Sequence, residues 1–365
     1  MAPSETLSRI RPHLLEFGVT RCADVTWLDR IGIPVFCGIR PRTRTVQVSN
    51  GKGLTPVDAQ VSCLMEAIEV AHWESPPAAA LQRASRRELV ARGEAVVRPE
   101  ALHGYAGAVW FTEGRRIDWV QGEELLSGRT VLLPASSAYV APPPTLFRPN
   151  SNGLASGNSL TEASLHALYE VLERHFISKA VAPGGELRVI DLATVGDDPV
   201  SELAERVHRA GLKLVLLSPE GDTPLPVFMA YLLDPHPLAI SSYVNAGCGA
   251  HFSKSVAATR AITEAAQGRL TAVHGARDDL KEKDYGAGPE RRALFGTLSS
   301  AEPTTEWSEV TECPGAALED DYAQMLACLR QCGFPNAYRV DLTRYDGIHV
   351  AKVMVEGAGL NEQLF

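Results

Sequence analysis

Three stretches of this chain share one design, and that repetition limits the fold more than any composition figure does. Thr55, Ser159 and Ser253 are each followed four residues later by an alanine (Ala59, Ala163, Ala257). Seven residues after each alanine comes a glutamate (Glu66, Glu170, Glu264), and three later Glu69, Glu173 or Gln267. A segment rich in Gly, Asn and Ser precedes each copy: SNGKG, SNGLASGNS and NAGCGAHFS. The hydroxyl residue at the head reads as a helix N-cap, whose side chain accepts an orphan N–H of the first turn. In the middle copy Ser159 and Glu162 also have the spacing of a capping box. Leu165, Leu168 and Leu172 mark the buried stripe of that helix, and Glu170 and Glu173 project from one side of it. The copies lie about a hundred residues apart, far beyond the period of a solenoid. They are therefore expected as repeated helix-plus-sheet segments of one α+β body spanning residues 1–365.

A chain of 365 residues, 45% apolar and 22% charged, can bury a sizeable core. Its net charge of −9 argues against a general nucleic-acid binder, whose affinity comes from Lys and Arg neutralising phosphates. No apolar run approaches the roughly 18 residues that span a bilayer, and MAPSETLSRI lacks the apolar core of a signal peptide. The expected location is the cytoplasm, without membrane attachment. Seven scattered cysteines, an odd number, fit free thiols in a reducing compartment. Cys328 and Cys332 have no His or Cys partner at zinc-ligand spacing.

Between the repeats, GIPVFCGIRPRTRTVQVS at 32–49 predicts paired strands. Arg40, Arg42 and Arg44 would share one face of the second strand, either solvated or turned toward an anion. A helix at Ser85–Gly93, short strands carrying Trp110 and Trp119, a hairpin turn at Ser127-Gly128 and a rigid proline spacer over 141–145 lead into the second repeat. A helix over Val200–Gly211 and a strand at Leu214–Leu217, after a turn and strand in 183–199, form a strand–helix–strand unit. Val227–Leu233 and Leu238–Val244 read as a hairpin entering the third repeat. Residues 275–306, polar and broken by Gly and Pro, read as an exposed, mobile excursion. A helix at Asp320–Cys332 and strands at Ala337–Leu342 and His349–Val355 complete the chain.

Glu66, Glu69, Glu170, Glu173 and Glu264, with Gln267, would repel one another if their helices converged. A hard divalent cation removes that cost, and Mg2+ favours carboxylate oxygens together with substrate phosphates. Arg260 and Arg269 flank the third set, and glycine-rich segments ahead of helix N-termini can receive phosphate oxygens. There is no Walker loop and no dinucleotide fingerprint. The reading is a nucleotide–magnesium site built from helices; any single pair of glutamates would pass for ordinary exposed helix positions, and the threefold repetition is what outweighs that.

Ser62-x3-Glu66-x2-Glu69, Glu170-x2-Glu173-Arg174-His175 and Arg260-x3-Glu264 resemble the ATP-binding motifs of the YcaO family. GIPVFCGIRP, SNGKG, SNGLASGNSLTEA and the VDLT at 340–343 extend the resemblance over nearly the whole chain. It implies a YcaO-like α+β fold with the repeated segments around a central nucleotide site. It also implies an enzyme that uses ATP and Mg2+ to activate a backbone amide of a peptide or protein substrate by O-phosphorylation. Ser62, Glu66, Glu69, Glu170, Glu173, Arg260, Glu264 and Gln267 would then face the nucleotide, with Glu66, Glu69, Glu173 and Glu264 on the metal; the resemblance assigns no catalytic residue beyond these. Val70 stands where the family often has Arg. GAGLNEQLF lacks the P-x-P-x-P ending of azoline-forming members, which points to thioamide or amidine formation with a TfuA-like partner; a homodimer is a further expected association. The alternatives are an azoline-forming cyclodehydratase, a nonenzymatic nucleotide-binding YcaO-like protein and an unrelated ATP-dependent ligase.

Overall fold

The strands that lead into the three repeat helices lie in three different sheets, each at the end of its sheet. The structure is a computed structural model that describes every residue except 108, 142–144, 197, 222, 238–242, 278–287, 363 and 365. The chain divides into two compact units, Met1–Ala67 with Phe176–Pro314 and Ile68–His175 with Gly315–Phe365.

In the first unit, Arg21–Asp24, Val35–Ile39 and Val48–Lys52 form an antiparallel three-stranded sheet. A second sheet has the order Val244–Ala250, Val227–Leu233, Lys213–Pro219, Leu187–Asp191, Thr305–Glu306, antiparallel except for its last, parallel pair. Every residue of Val227–Leu233 is buried, as an all-apolar central strand requires. Helices Pro199–Arg209 and Lys254–His274 supply Val200, Leu203, Val207, Ala257, Ala261, Ile262 and Ala265 to a core shared with Leu216, Phe228, Leu232 and Trp307. The run of alanines on the longer helix is what lets its backbone lie close to the sheet.

In the second unit, the sheet order is Leu81–Ser85, Arg116–Glu124, Ala337–Asp341, His349–Val355, Leu154–Gly157, and Arg129–Pro134 also pairs with Arg116–Glu124. That last pair is the expected hairpin, closed by Gly128 at φ 72°. Trp119 is fully buried in it and donates its indole N–H to Ala84 O at 3.0 Å. On the helix Leu160–Ala180, Leu165, Leu168 and Leu172 are buried as the stripe predicts.

Several expectations change. The glycine-rich segments are strands: SNGK lies in Val48–Lys52, LASG is Leu154–Gly157, and Asn245–Ala250 completes Val244–Ala250. The partner of Val227–Leu233 is therefore Val244–Ala250, with Leu233 opposite Val244; 238–242 lie outside the described residues. Arg40 ends up buried after Val35–Ile39, its Nε donating to Phe17 O at 2.9 Å, while Arg42 and Arg44 are exposed in the connection before Val48, so the three do not line one strand face. Pro41 and the short run after it interrupt the ladder. Trp110 lies in a turn beneath the Arg115 guanidinium. The strand–helix–strand unit folds back instead of crossing over, for Leu187–Asp191 and Lys213–Pro219 are antiparallel neighbours. Much of the proline spacer and residues 278–287 of the expected excursion lie outside the described residues; the described remainder of 275–306 includes the helix Pro289–Ser299. Among the described residues, no helix is long and apolar enough to cross a membrane.

Candidate functional site

One contact recurs in all three repeats. A main-chain N–H at the entry to each helix donates to the first glutamate of that helix's shared pattern: Asn50 and Cys248, within their strands, to Glu66 and to Glu264 Oε1 at 3.3 Å, and Gly153, in the turn just before Leu154–Gly157, to Glu170 Oε1 at 2.8 Å. Counted from Thr55, Ser159 and Ser253, the glutamate stands eleven residues on and its donor five or six residues back. The repetition seen in sequence is thus a repetition of geometry. A strand glycine makes the approach close enough: a Cβ on Gly51 would lie 2.0 Å from Cys63 N, and one on Gly249 2.0 Å from Ala257 O. The caps are less uniform. Thr55 Oγ1 and Ser159 Oγ accept the N–H groups of Asp58 and Glu162, whereas Ser253 makes no side-chain cap bond. The carboxylate of Glu162 returns to Asn158 N, one residue before the expected Ser159.

In the first unit these elements assemble a charged cluster. Lys52 Nζ forms an ion pair with Glu264 Oε2, and the N–H of Lys52 donates to Ser62 Oγ at 3.4 Å. Burial pushes the Glu66 carboxyl up to about 7, with Glu264 adding to the rise, against the pull of Arg277, Lys52 and the Asn50 N–H. Sequence reasoning assigned Lys52 no role. Its signal was the alternation of Asn50 and Lys52 along one strand face, and Asn50 Nδ2 indeed reaches Thr271 Oγ1 on the third repeat helix at 2.8 Å. Arg260 is half-buried on that helix, and its guanidinium makes no hydrogen bond or ion pair with the described residues. Gln267 lies two turns further along; its main-chain oxygen accepts Thr271 Oγ1. Arg269 is taken up by carboxylates of the protein itself. It is fully buried, with Nε and Nη2 on Asp29 at 2.8 and 3.0 Å and Nη2 on Asp234 at 2.9 Å.

In the second unit, Glu69 Oε1 accepts both the N–H and the hydroxyl of Ser156, at 2.8 and 2.6 Å. Glu170, besides holding Gly153, pairs with Arg174 at 3.6 Å. Glu173 is buried rather than on an open helix face. The structure therefore brings Ser62, Glu66 and Glu264 around Lys52 in one unit, and engages Glu170 and Glu69 on two N–H groups three residues apart in the other, those of Gly153 and Ser156.

The YcaO cyclodehydratase model, described as ATP- and Mg2+-binding, matches residues 50–359. The chain belongs to the YcaO family. An uncharacterised protein of Methanothermobacter thermautotrophicus is 34% identical over 366 residues, covering 97% of this chain and 93% of that protein. A protein of Rhizobium leguminosarum bv. trifolii encoded in the tfuA 3′ region is 38% identical over 297 residues, covering 78% of this chain and 70% of that one. The YcaO structure of Methanopyrus kandleri bound with AMPPCP and Mg2+ superposes with a TM-score of 0.78 at 25% identity, over 98% of this chain and 91% of that one. A heterocyclase in complex with substrate and cofactor shares the fold, with a TM-score of 0.82 at 20% identity; the chain matches it over 99% of its own length and 52% of the heterocyclase.

The YcaO residues suit these cofactors. A carboxyl held as high as Glu66 prefers a proton or a cation, and at neutral pH a divalent ion satisfies it better. Arg260 can meet an anion without breaking a bond to any described residue. Among the described residues no group of three His, Cys, Asp or Glu side chains is spaced to hold a metal alone.

Proposed function

We propose that this YcaO protein activates a backbone amide of a peptide or protein by ATP-dependent O-phosphorylation and exchanges the amide oxygen for sulfur, with a TfuA-like partner. Glu66, Glu69, Glu173 and Glu264 are the metal-side carboxylates, Ser62 and Arg260 meet the nucleotide, and Glu170 and Gln267 complete the surroundings. The observation that carries the amide-activating part is the cluster of Lys52, Glu66 and Glu264: Lys52 is ion-paired with Glu264 and acts electrostatically on Glu66, whose raised carboxyl calls for a further cation. The thioamide part rests on the tfuA-region relative at 38% identity.

An amide oxygen is a poor leaving group, and ATP supplies the phosphoryl group that lets it depart as phosphate. The chain's own residues then hold charge and geometry: Arg260 and Lys52 offset negative charge, and the N–H groups of Asn50, Ser156 and Cys248 orient the carboxylates. A sulfide nucleophile adds to the carbonyl carbon, the oxygen leaves as phosphate, and ATP is left as ADP. The family description favours a second reading, cyclodehydration of a Cys, Ser or Thr residue to an azoline. Mass spectrometry separates the two. A peptide incubated with the enzyme, ATP, Mg2+, a sulfide source and the partner gains about 16 mass units if a thioamide forms. A loss of about 18 mass units by the enzyme alone, mapped to Cys, Ser or Thr, means azoline formation and overturns the thioamide reading.

A further inference from the structure

The second unit encloses a lysine amine that makes no ion pair among the described residues. Lys352, on the strand His349–Val355, is 3% exposed. Among the described residues no carboxylate lies within ion-pair range; its Nζ donates instead to the main-chain oxygens of Asn150 at 2.6 Å and Asn152 at 2.7 Å. Burial pushes its pKa down to about 7, Glu170 pulling the other way and Arg174 adding to the fall. Placing so costly a group against two carbonyls is unusual, because a main-chain N–H or an Asn amide would satisfy them without desolvating an amine.

What those carbonyls belong to explains the placement. Residues 150–153 lead directly into Leu154–Gly157, the strand that pairs with His349–Val355 with Lys352 opposite Leu154. Gly153, at φ 76°, gives its N–H to Glu170 and takes the N–H of Val353 on its oxygen at 2.7 Å. A Cβ there would lie 2.2 Å from Val353 O. Three residues on, Ser156 holds Glu69 with both its N–H and its hydroxyl. One short segment thus orients two carboxylates of the repeats, and Lys352 grips the start of that segment from the neighbouring strand.

We propose that Lys352 is a positioning residue: by holding the Asn150 and Asn152 carbonyls it fixes the segment whose N–H groups aim Glu170 and Glu69 at the magnesium–nucleotide site. The inference rests on the reading of that site given above, so its test has one readout that involves no nucleotide. In Lys352→Met, amide hydrogen exchange at Gly153 and Ser156 should accelerate about tenfold or more while the strand Val244–Ala250 is unchanged. In calorimetry with ATP at varied Mg2+, the same variant should need about tenfold more Mg2+ for half-saturation. Lys352→Arg, which keeps donors on a long stem, should recover most of both effects. Unchanged exchange at Gly153 and Ser156 overturns the inference, and so does altered exchange with a wild-type Mg2+ requirement. Should Lys352→Met not fold, Lys352→Gln serves: a folded Gln variant with wild-type exchange and Mg2+ dependence refutes the role. A wild-type protein whose ATP binding ignores Mg2+ would sink the site reading instead, while the exchange data still decide whether Lys352 holds the segment.

Discussion

Glu66 is where charge and stability meet most directly. Its folded-state pKa of about 7 lies above the ordinary carboxyl value of 4.5, so the fold favours the protonated form. The stability this contributes is fully present below about 4.5 and is lost as pH rises through about 7. In EDTA the wild-type protein is therefore expected to melt lower at pH 8 than at pH 5.5, other groups being equal. Glu66→Gln, which cannot ionise beside Glu264, should raise the melting temperature at pH 8 by a few degrees and change it little at pH 5.5. A fall at both pH values would show that the carboxylate is structural. The same variant should lose Mg2+-dependent ATP turnover by at least about a hundredfold, read by phosphate release. Glu66, Glu170 and Glu264 were legible in the sequence because their spacing from a cap residue recurs. Lys52 shows only a shared strand face with Asn50, and Lys352 not even that: the first reaches a glutamate 212 residues away and the second a loop 200 residues away, and no local pattern names such partners. The partners of Arg269 are hidden for the same reason: Asp29 and Asp234 come from remote segments.

At the scale of elements, the unit is a strand and the helix it feeds, and glycine sets how closely they pack. Glycine-rich runs read as phosphate-binding loops because glycine is depleted in strands; the reason it occurs here is that the strand backbone lies against the helix backbone. Gly249→Ala should cost about 3 kcal/mol or more, because its Cβ would fall 2.0 Å from Ala257 O, backbone that cannot move aside. Gly296→Ala, on the helix Pro289–Ser299 with nothing within 4 Å, should instead stabilise by about 0.5–1 kcal/mol. Urea unfolding of both variants checks the contrast; equal effects would mean that the glycines serve flexibility rather than contact. Helix positions and the alanines at Ala59, Ala163 and Ala257 were readable from the pattern, and all three are fully buried. The sheet order was not, since pairing such as Leu187–Asp191 beside Lys213–Pro219 depends on partners that periodicity does not name.

On the scale of the whole chain, buried charge ties distant segments within the first unit. Arg269 lies between Asp29 and Asp234, and Arg30 adds a second bond to Asp234 at 2.9 Å. Arg269→Met strands the Asp29 carboxylate and leaves Asp234 to Arg30, and should cost about 3–5 kcal/mol, measured as a lower urea midpoint; a change under about 1 kcal/mol would mean that water reaches Asp29. The membership of the YcaO family reaches over residues 50–359, and the three backbone-to-glutamate contacts give that membership a physical content: carboxylates aimed by backbone donors, with cations to relieve them. Calorimetry of ATP binding in EDTA and in excess Mg2+ tests that content most directly. Binding at least about a hundredfold tighter with Mg2+, and lost in Glu66→Gln, is the predicted result; equal affinity in EDTA and in Mg2+ would contradict it.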